Sequence, residues 1–156
     1  FPAKSAGSLI VRDGVAVGSR LLGQQFDDPK YFWGRLSATG AIPYDGLASA
    51  GSNLGPTNPA LLDRTRERVR LLRDADRGNS APIPVDLVTA SASGLDPNIS
   101  EASALFQVPR VARLRALDEA RVRSLVLAHT ETPDLGVFGE RRVSVLELNL
   151  EMDSLK

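Results

Sequence analysis

The hydrophobic pattern of the sequence changes at Asn58-Pro59, and this change constrains the fold more than any other feature. Before it, apolar residues form short runs of strand length, and Asp13-Gly14 separates two of them within residues 8–22. Asp and Gly tolerate the positive φ angles of a tight turn, so this segment predicts a β-hairpin. After Asn58-Pro59, apolar residues recur at helical spacing. The pattern predicts one α+β domain, in which a small N-terminal antiparallel sheet with a hairpin is followed by several helices.

A first helix is predicted between Asn58-Pro59 and Gly78-Asn79. The Asn side chain can cap the free N–H groups of the first turn, and Pro fits at the first helical position. Leu62, Val69 and Leu72 fall on one face of this helix. Acidic residues are interspersed among its arginines, which is typical of a solvated face.

Further helices are predicted in the second half of the chain. Ser100 can cap a helix that runs to about Phe106. Pro109 can occupy a first turn, so it is expected to restart a helix that runs to about Leu117. Asp118 can cap the next helix in the same way as Ser100.

Two segments carry a less decisive pattern. Residues 143–153 contain leucines that alternate as in a strand, whereas Ser144 and Glu147 form a capping box, which favours a helix. We predict a helix there. The aromatic residues at 31–33 are expected to lead into a third short extended segment after the hairpin.

Composition excludes several classes of function. The chain of 156 residues has 19 Lys plus Arg and 19 Asp plus Glu, so no overall field draws in nucleic acid. It has no Cys, which excludes disulfides, cysteine catalysis and thiolate metal sites, and it has one histidine, His129. We predict neither a metal site nor a nucleic-acid partner. The 42% of hydrophobic residues predict a chain that folds.

Two stretches are rich in small and polar residues, GSNLGPTNP at 51–59 and SASGLDPNIS at 91–100. The first could be a turn that leads into a capped helix, a loop that docks a partner, or a phosphate site. The Lys and Ser/Thr of a Walker loop are missing from it. In the second, Gly94 permits a left-handed turn, and Asp96 can cap a helix or act as a base.

The residues that could carry chemistry do not form an assembled catalytic site in the sequence. A hydrolase would have to combine Asp96 with Ser93 or His129, and the G-x-S-x-G nucleophile elbow is absent. We therefore predict no catalytic residue. Gln107 and Arg110 lie at the predicted junction of two helical pieces, where they could bond to the backbone or contact a ligand.

Six segments in a fixed order span nearly the whole chain: FPAKSAGSLIV (1–11), GSRLLGQQFDDPKYFWGRLSA (18–38), GSNLGPTNPAL (51–61), PVDLVTASASGLDPNIS (84–100), FQVPRVARLR (106–115) and GERRVSVLELNL (139–150). Together they resemble the family of C subunits of the Kdp potassium-transporting ATPase, the high-affinity potassium uptake system of bacteria. Leu36, Ala50 and Ser144 depart from the family pattern, in which Pro, Gly and Asn are expected.

The resemblance implies a non-catalytic accessory subunit that the complex needs for assembly and function. Family members have one N-terminal transmembrane helix, which is expected to precede Phe1, and a soluble domain on the outer, periplasmic side of the inner membrane. The implied partners are a potassium-channel-like subunit, a P-type ATPase subunit and a small peptide subunit. ATP hydrolysis belongs to the P-type subunit, and potassium is the transported ion.

The resemblance also leaves two roles open for the unusual residues. The small side chains of the two polar stretches are expected to let the backbone approach partner subunits near the potassium entrance. Alternatively, the family has been credited with helping ATP to bind, and Gln107 and Arg110 are then the candidate nucleotide contacts; no other cofactor is expected. The residues assigned to partner docking are Gly51, Ser52, Asn53, Leu54, Gly55, Ser91, Ser93, Gly94, Asp96 and Pro97.

Overall fold

The computed structural model describes residues 1–133 and 135–155 and has the predicted α+β class. The helices are α1 (Pro2–Ser5), α2 (Pro59–Ala75), α3 (Glu101–Arg115), α4 (Glu119–Ala128) and α5 (Val145–Ser154). The strands are β1 (Leu9–Arg12), β2 (Val15–Ser19), β3 (Asn98–Ser100), β4 (Thr130–Glu131) and β5 (Arg142–Ser144), and a single 3-10 turn covers Val85–Leu87.

The N-terminal hairpin is confirmed. β1 pairs antiparallel with β2, and the two-residue turn has φ angles of 50° at Asp13 and 78° at Gly14. Positive φ at both central positions gives the turn the same twist as its strands. The register shifts between Ile10 and Val11, so the ladder contains a bulge.

A second sheet was not predicted. Its order is β3-β5-β4, and both pairings are antiparallel. Ser100 and Ser144 each end a strand of this sheet and cap the helix that follows directly. The strands have at most three residues, which is too short for an alternating pattern to show. β3 and β5, which pair with each other, are therefore the residues that lead directly into α3 and α5.

The third extended segment, expected after Tyr31-Phe32-Trp33, joins neither sheet of the described residues. Phe32 and Trp33 are instead buried among the helices. Two side-chain amides, described below, take the place of a neighbouring strand. The chain then makes an isolated parallel bridge between Leu36 and Ala90.

The first predicted helix is confirmed as α2, with Asn58 accepting a hydrogen bond from the backbone N–H of Ala60. The predicted apolar face is only partly right. Leu72 is buried, but Leu62 is 48% exposed. Leu61 faces the body of the domain in its place and lines a groove between α2 and residues 36–40.

The predicted break at Pro109 is wrong, because α3 runs without interruption through it. Proline removes one intrahelical hydrogen bond. Val108 and Val111 on the same helix are fully buried, and this packing outweighs the missing bond. The helix ends instead at Ala116, whose φ of 53° is the left-handed cap that terminates many helices.

The C-terminal helix is confirmed as α5. Ser144 accepts a hydrogen bond from the N–H of Glu147, and Leu148 and Met152 are fully buried. The helix capped by Asp118 is also confirmed, as α4, although its bond to Ala120 is long at 3.4 Å. The buried core consists of Phe32, Trp33, Leu72, Leu87, Ile99, Ala104, Val108, Val111, Ala112, Val122, Val126, Val143, Val145, Leu148 and Met152.

Candidate functional site

The two polar stretches lie side by side and form one surface. The backbone N–H of Ala50 donates to the Ser93 carbonyl at 3.0 Å, and the Ser49 hydroxyl donates to the same carbonyl at 3.0 Å. We call residues 49–55 and 91–97 together the loop surface. Hydrogen bonds to the Ser93 carbonyl thus hold together two segments that are more than 40 positions apart in the sequence.

Glycine permits the close approach of these two segments. A Cβ atom on Gly51 would lie 2.9 Å from the Ala92 carbonyl oxygen, and one on Gly94 would lie 2.7 Å from the Ala50 oxygen. Gly94 also has a φ of +67°, which favours glycine. Its N–H donates to the hydroxyl of Ser91, which is buried. These small residues are therefore required by contacts within this chain.

Other parts of the loop surface face outward. Asn53, Gly55 and Ser93 are exposed, and a Cβ on Gly55 would meet no atom within 4 Å. Ser52 and Leu54 line one wall of the groove beside α2, which has a volume of about 410 Å³. The surface thus combines a fixed backbone with free outer positions.

Asp96 and Pro97 anchor the second segment. The Asp96 carboxylate pairs with Arg35 at 3.1 Å and accepts the backbone N–H of Asn98 at 3.0 Å. The Pro97 carbonyl accepts the N–H of Val145 at 3.0 Å. Among the hydrogen bonds of residues 1–133 and 135–155, none joins Asp96 to Ser93 or His129, so the structure does not bring the hydrolase set together.

Gln107 is buried and holds the backbone of Trp33. The Trp33 N–H donates to Gln107 Oε1 at 2.8 Å, and Gln107 Nε2 donates to the Trp33 carbonyl at 3.1 Å. Asn149 on α5 makes the same pair of bonds to Phe32, at 2.8 Å and 2.9 Å. We call Gln107 and Asn149 the amide clamp. In the sequence, Asn149 stands out only as the one amide side chain of a helix whose other residues are mainly apolar or acidic.

Arg110 is buried against the same segment. It donates to the carbonyls of Pro29 and Tyr31 and to Gln107 Oε1, and its guanidinium lies 4.3 Å from the Trp33 ring centre. Burial lowers the pKa of Arg110 to about 10. The nucleotide-contact hypothesis for Gln107 and Arg110 stays a prediction, and a nucleotide would have to replace these internal bonds.

Arg68 covers the other side of the Trp33 region and differs from its neighbours on α2, which are mostly exposed. It donates to the carbonyls of Leu87 and Gly34, each at 3.0 Å, and its guanidinium lies 5.3 Å from the Trp33 ring centre. Burial lowers the pKa of Arg68. The prediction of a solvated arginine face therefore fails at Arg68.

Tyr44 connects the segment after Trp33 to the loops. Its hydroxyl donates to the Arg35 carbonyl at 2.6 Å. A Cβ on Gly23 would lie 2.3 Å from the Tyr44 ring, and one on Gly34 would lie 2.7 Å from the Tyr44 hydroxyl oxygen. Burial raises the pKa of Tyr44 to about 12. The ring thereby fixes the backbone that carries the Arg35 side chain.

Within the described part of the chain, no group of three or more His, Cys, Asp or Glu side chains is placed to hold a metal ion. No helix in residues 1–133 and 135–155 has the length and apolar character needed to cross a membrane.

Comparison with known proteins gives a consistent result. A family model described as K+-transporting ATPase, c chain (KdpC) matches residues 1–154. A potassium-transporting ATPase KdpC subunit from Polaromonas naphthalenivorans is 64% identical over 156 residues, which are 100% of this chain and 80% of the relative. The subunit of the same name from Ralstonia nicotianae is 62% identical, over 100% and 76%. That from Sorangium cellulosum is 61% identical, over 100% and 82%.

Proposed function

The chain belongs to the KdpC family, the c chain of the K+-transporting ATPase, and we propose that it works in the pump by contact, through the loop surface. It is an accessory subunit of a potassium-transporting ATPase complex. We propose further that its role is to assemble or stabilise that complex and that it performs no chemical step of its own.

One observation supports this proposal: in the loop surface the backbone is fixed by internal hydrogen bonds, while the outer residues are exposed to solvent. The bonds from Ala50 and Ser49 to Ser93 fix the relative position of the two segments. Asn53 and Gly55 remain exposed, with no packing role for the glycine. A preformed backbone loses little conformational entropy when a partner binds, so such a surface suits docking.

The partners in this proposal are the other subunits of the pump: a potassium-channel-like subunit, a P-type ATPase subunit and a small peptide subunit. We place the loop surface against one of them, on the outer side of the inner membrane and near the potassium entrance. An N-terminal transmembrane helix is part of the same proposal. The resemblance of the six sequence segments to the family supports these assignments.

The test introduces a bulky side chain at an exposed position of the loop surface, where it does not collide with the rest of this chain. Gly55→Trp suits this purpose, because a Cβ there meets no atom within 4 Å. Gly78→Trp is the matched control, since that glycine is equally open but lies beyond the end of α2. Gly94→Trp is unsuitable, because the side chain would collide with Ala50 and disturb the fold.

The complex is purified through a tag on another subunit, and potassium-stimulated ATPase activity is measured. We expect Gly55→Trp to reduce the amount of this subunit in the complex at least about tenfold, whereas Gly78→Trp leaves it unchanged. Normal assembly and normal activity of Gly55→Trp would contradict docking through the loop surface. Equal loss in both variants would point to a general effect of the added Trp.

A further inference from the structure

A small cavity lies next to the groove beside α2, and the proposed function does not use it. Its volume is about 80 Å³. It is lined by Gln25, Phe26, Gly34, Arg35, Leu36, Ser37, Tyr44 and Arg68. Two arginine side chains therefore border a cavity that can hold one or two water molecules or a small ion, since a water molecule occupies about 30 Å³ in the liquid.

One of these guanidinium groups carries an unused donor. Arg35 pairs with Asp96 at 3.1 Å through Nη1 and donates to the Ala90 carbonyl at 3.3 Å through Nη2. Its Nε is buried and has no hydrogen-bond partner among the described residues. A buried N–H without a partner destabilises the fold by about 1–3 kcal/mol, so a bound acceptor at this place is favoured.

The other guanidinium group has no carboxylate in contact among the described residues, and Asp27 attracts it only at longer range. Arg68 is bonded to two backbone carbonyls, and no carboxylate of the described residues lies within the 4.0 Å of an ion pair. The Asp96 carboxylate beside the cavity is already paired with Arg35. Among the residues that line the cavity, Arg35 and Arg68 are cationic and none is acidic, so the lining favours a negatively charged occupant.

The hydroxyl groups of the wall do not supply the missing negative charge. The Tyr44 hydroxyl donates to the Arg35 carbonyl at 2.6 Å, and the Ser37 hydroxyl donates to the Gly94 carbonyl at 2.7 Å. Water could accept from Arg35 Nε but would bring no negative charge into contact with Arg68. An anion satisfies both requirements at once.

We propose that this cavity binds a small monovalent inorganic anion, held between Arg35 Nε and the Arg68 guanidinium, with chloride as the ligand to test. The ion would tie α2, through Arg68, to the segment that Tyr44 fixes and that leads to the loop surface. Its position beneath the groove makes it a structural ion, distinct from the transported potassium.

Bromide identifies the occupant directly. Crystals of the chain described here, grown in sodium bromide, should show an anomalous peak between Arg35 and Arg68 with an occupancy that rises with bromide concentration. Density of a water molecule without an anomalous signal at high bromide would overturn the proposal. This measurement does not depend on any variant and does not involve the other subunits of the pump.

Thermal unfolding gives the second measurement, at constant ionic strength with chloride exchanged for gluconate. We expect the unfolding temperature to rise by on the order of 3 °C once chloride exceeds its dissociation constant about tenfold. Arg68→Gln should abolish this chloride dependence. Arg64→Gln should keep it, because Arg64 lines the groove one turn away but not the cavity. An identical chloride response in both variants would refute the site.

Discussion

The backbone of Phe32 and Trp33 is buried without a neighbouring strand, and two side chains satisfy it. Each amide of the clamp presents an acceptor oxygen and a donor nitrogen to one aromatic residue, as a neighbouring strand would. Gln107 accepts the N–H of Trp33 and donates to its carbonyl, and Asn149 does the same for Phe32. Buried backbone groups need such partners. The clamp therefore explains why polar residues occupy core positions of α3 and α5.

Gln107→Met is the residue-scale prediction. Methionine has a similar size but cannot replace either bond, so the N–H and carbonyl of Trp33 and one donor of Arg110 lose their partner. We expect a loss of about 2–4 kcal/mol in the free energy of unfolding, measured with urea. Gln25→Met is the control, because Gln25 is exposed and donates to the exposed Asp27 carboxylate. A loss below about 1 kcal/mol for Gln107→Met would contradict the role of the clamp.

At the scale of elements, the start of α3 is held from outside the helix. Asp86 in the 3-10 turn accepts from the Ser100 N–H at 2.8 Å and from the hydroxyls of Ser100 and Ser103, at 3.1 Å and 2.5 Å. Ser100 in turn caps α3 by accepting the N–H of Ser103. A carboxylate at a helix N-terminus is also favoured by the helix dipole.

Asp86→Ala should therefore weaken α3 as a whole. The variant loses three hydrogen bonds to a carboxylate and leaves Ser100 and Ser103 without their acceptor, so we expect a loss of about 2–4 kcal/mol in the free energy of unfolding. Asp63→Ala on α2 is the control, since Asp63 and its partner Arg66 are both exposed, and its loss should stay below about 1 kcal/mol. Equal small losses in both variants would show that the Asp86 bonds do not support the helix.

The elements that the sequence predicts correctly are those with local signals. Asn58, Ser100, Asp118 and Ser144 act within their own helix, so each cap is visible in a few neighbouring residues. The continuous α3 through Pro109 is different, because the burial that outweighs the missing bond comes from distant segments. The second sheet also depends on strands that are far apart in sequence.

At the scale of the whole molecule, the hairpin stands apart from the helical core. The side chains of Leu9, Val11 and Val15 are 54%, 57% and 64% exposed. Among the bonds that attach it, Gln24 Nε2 donates to the Val17 carbonyl and Arg12 to the Leu150 carbonyl. A unit with few buried contacts can open while the rest stays folded.

Native-state hydrogen exchange tests this separation. We expect the amides of β1 and β2 to exchange at least about tenfold faster than those around Val108 and Val111 in α3, because the hairpin opens without global unfolding. The amides of α3 serve as the internal reference in the same sample. Exchange of both regions at one common rate would show that the hairpin belongs to the cooperative core.

The candidate site was predicted from the sequence only in outline. The composition of the two stretches predicts that Gly51 and Gly94 let the backbone approach another surface closely. The surface that they approach, however, is each other's loop, and this requires the folded chain. Gly55 is exposed and takes no part in these internal contacts. The sequence alone does not distinguish it from Gly51 and Gly94, which the fold requires.

In the amide clamp, Gln107 lies 74 positions after Trp33 in the chain, and Asn149 lies 117 positions after Phe32. Contacts between such distant residues form late, since a long loop must close before they add stability. During synthesis, the ribosome must release α5 before Asn149 can reach Phe32. Until that moment the backbone of Phe32 lacks its Asn149 partner, so a chaperone that recognises aromatic segments can bind there.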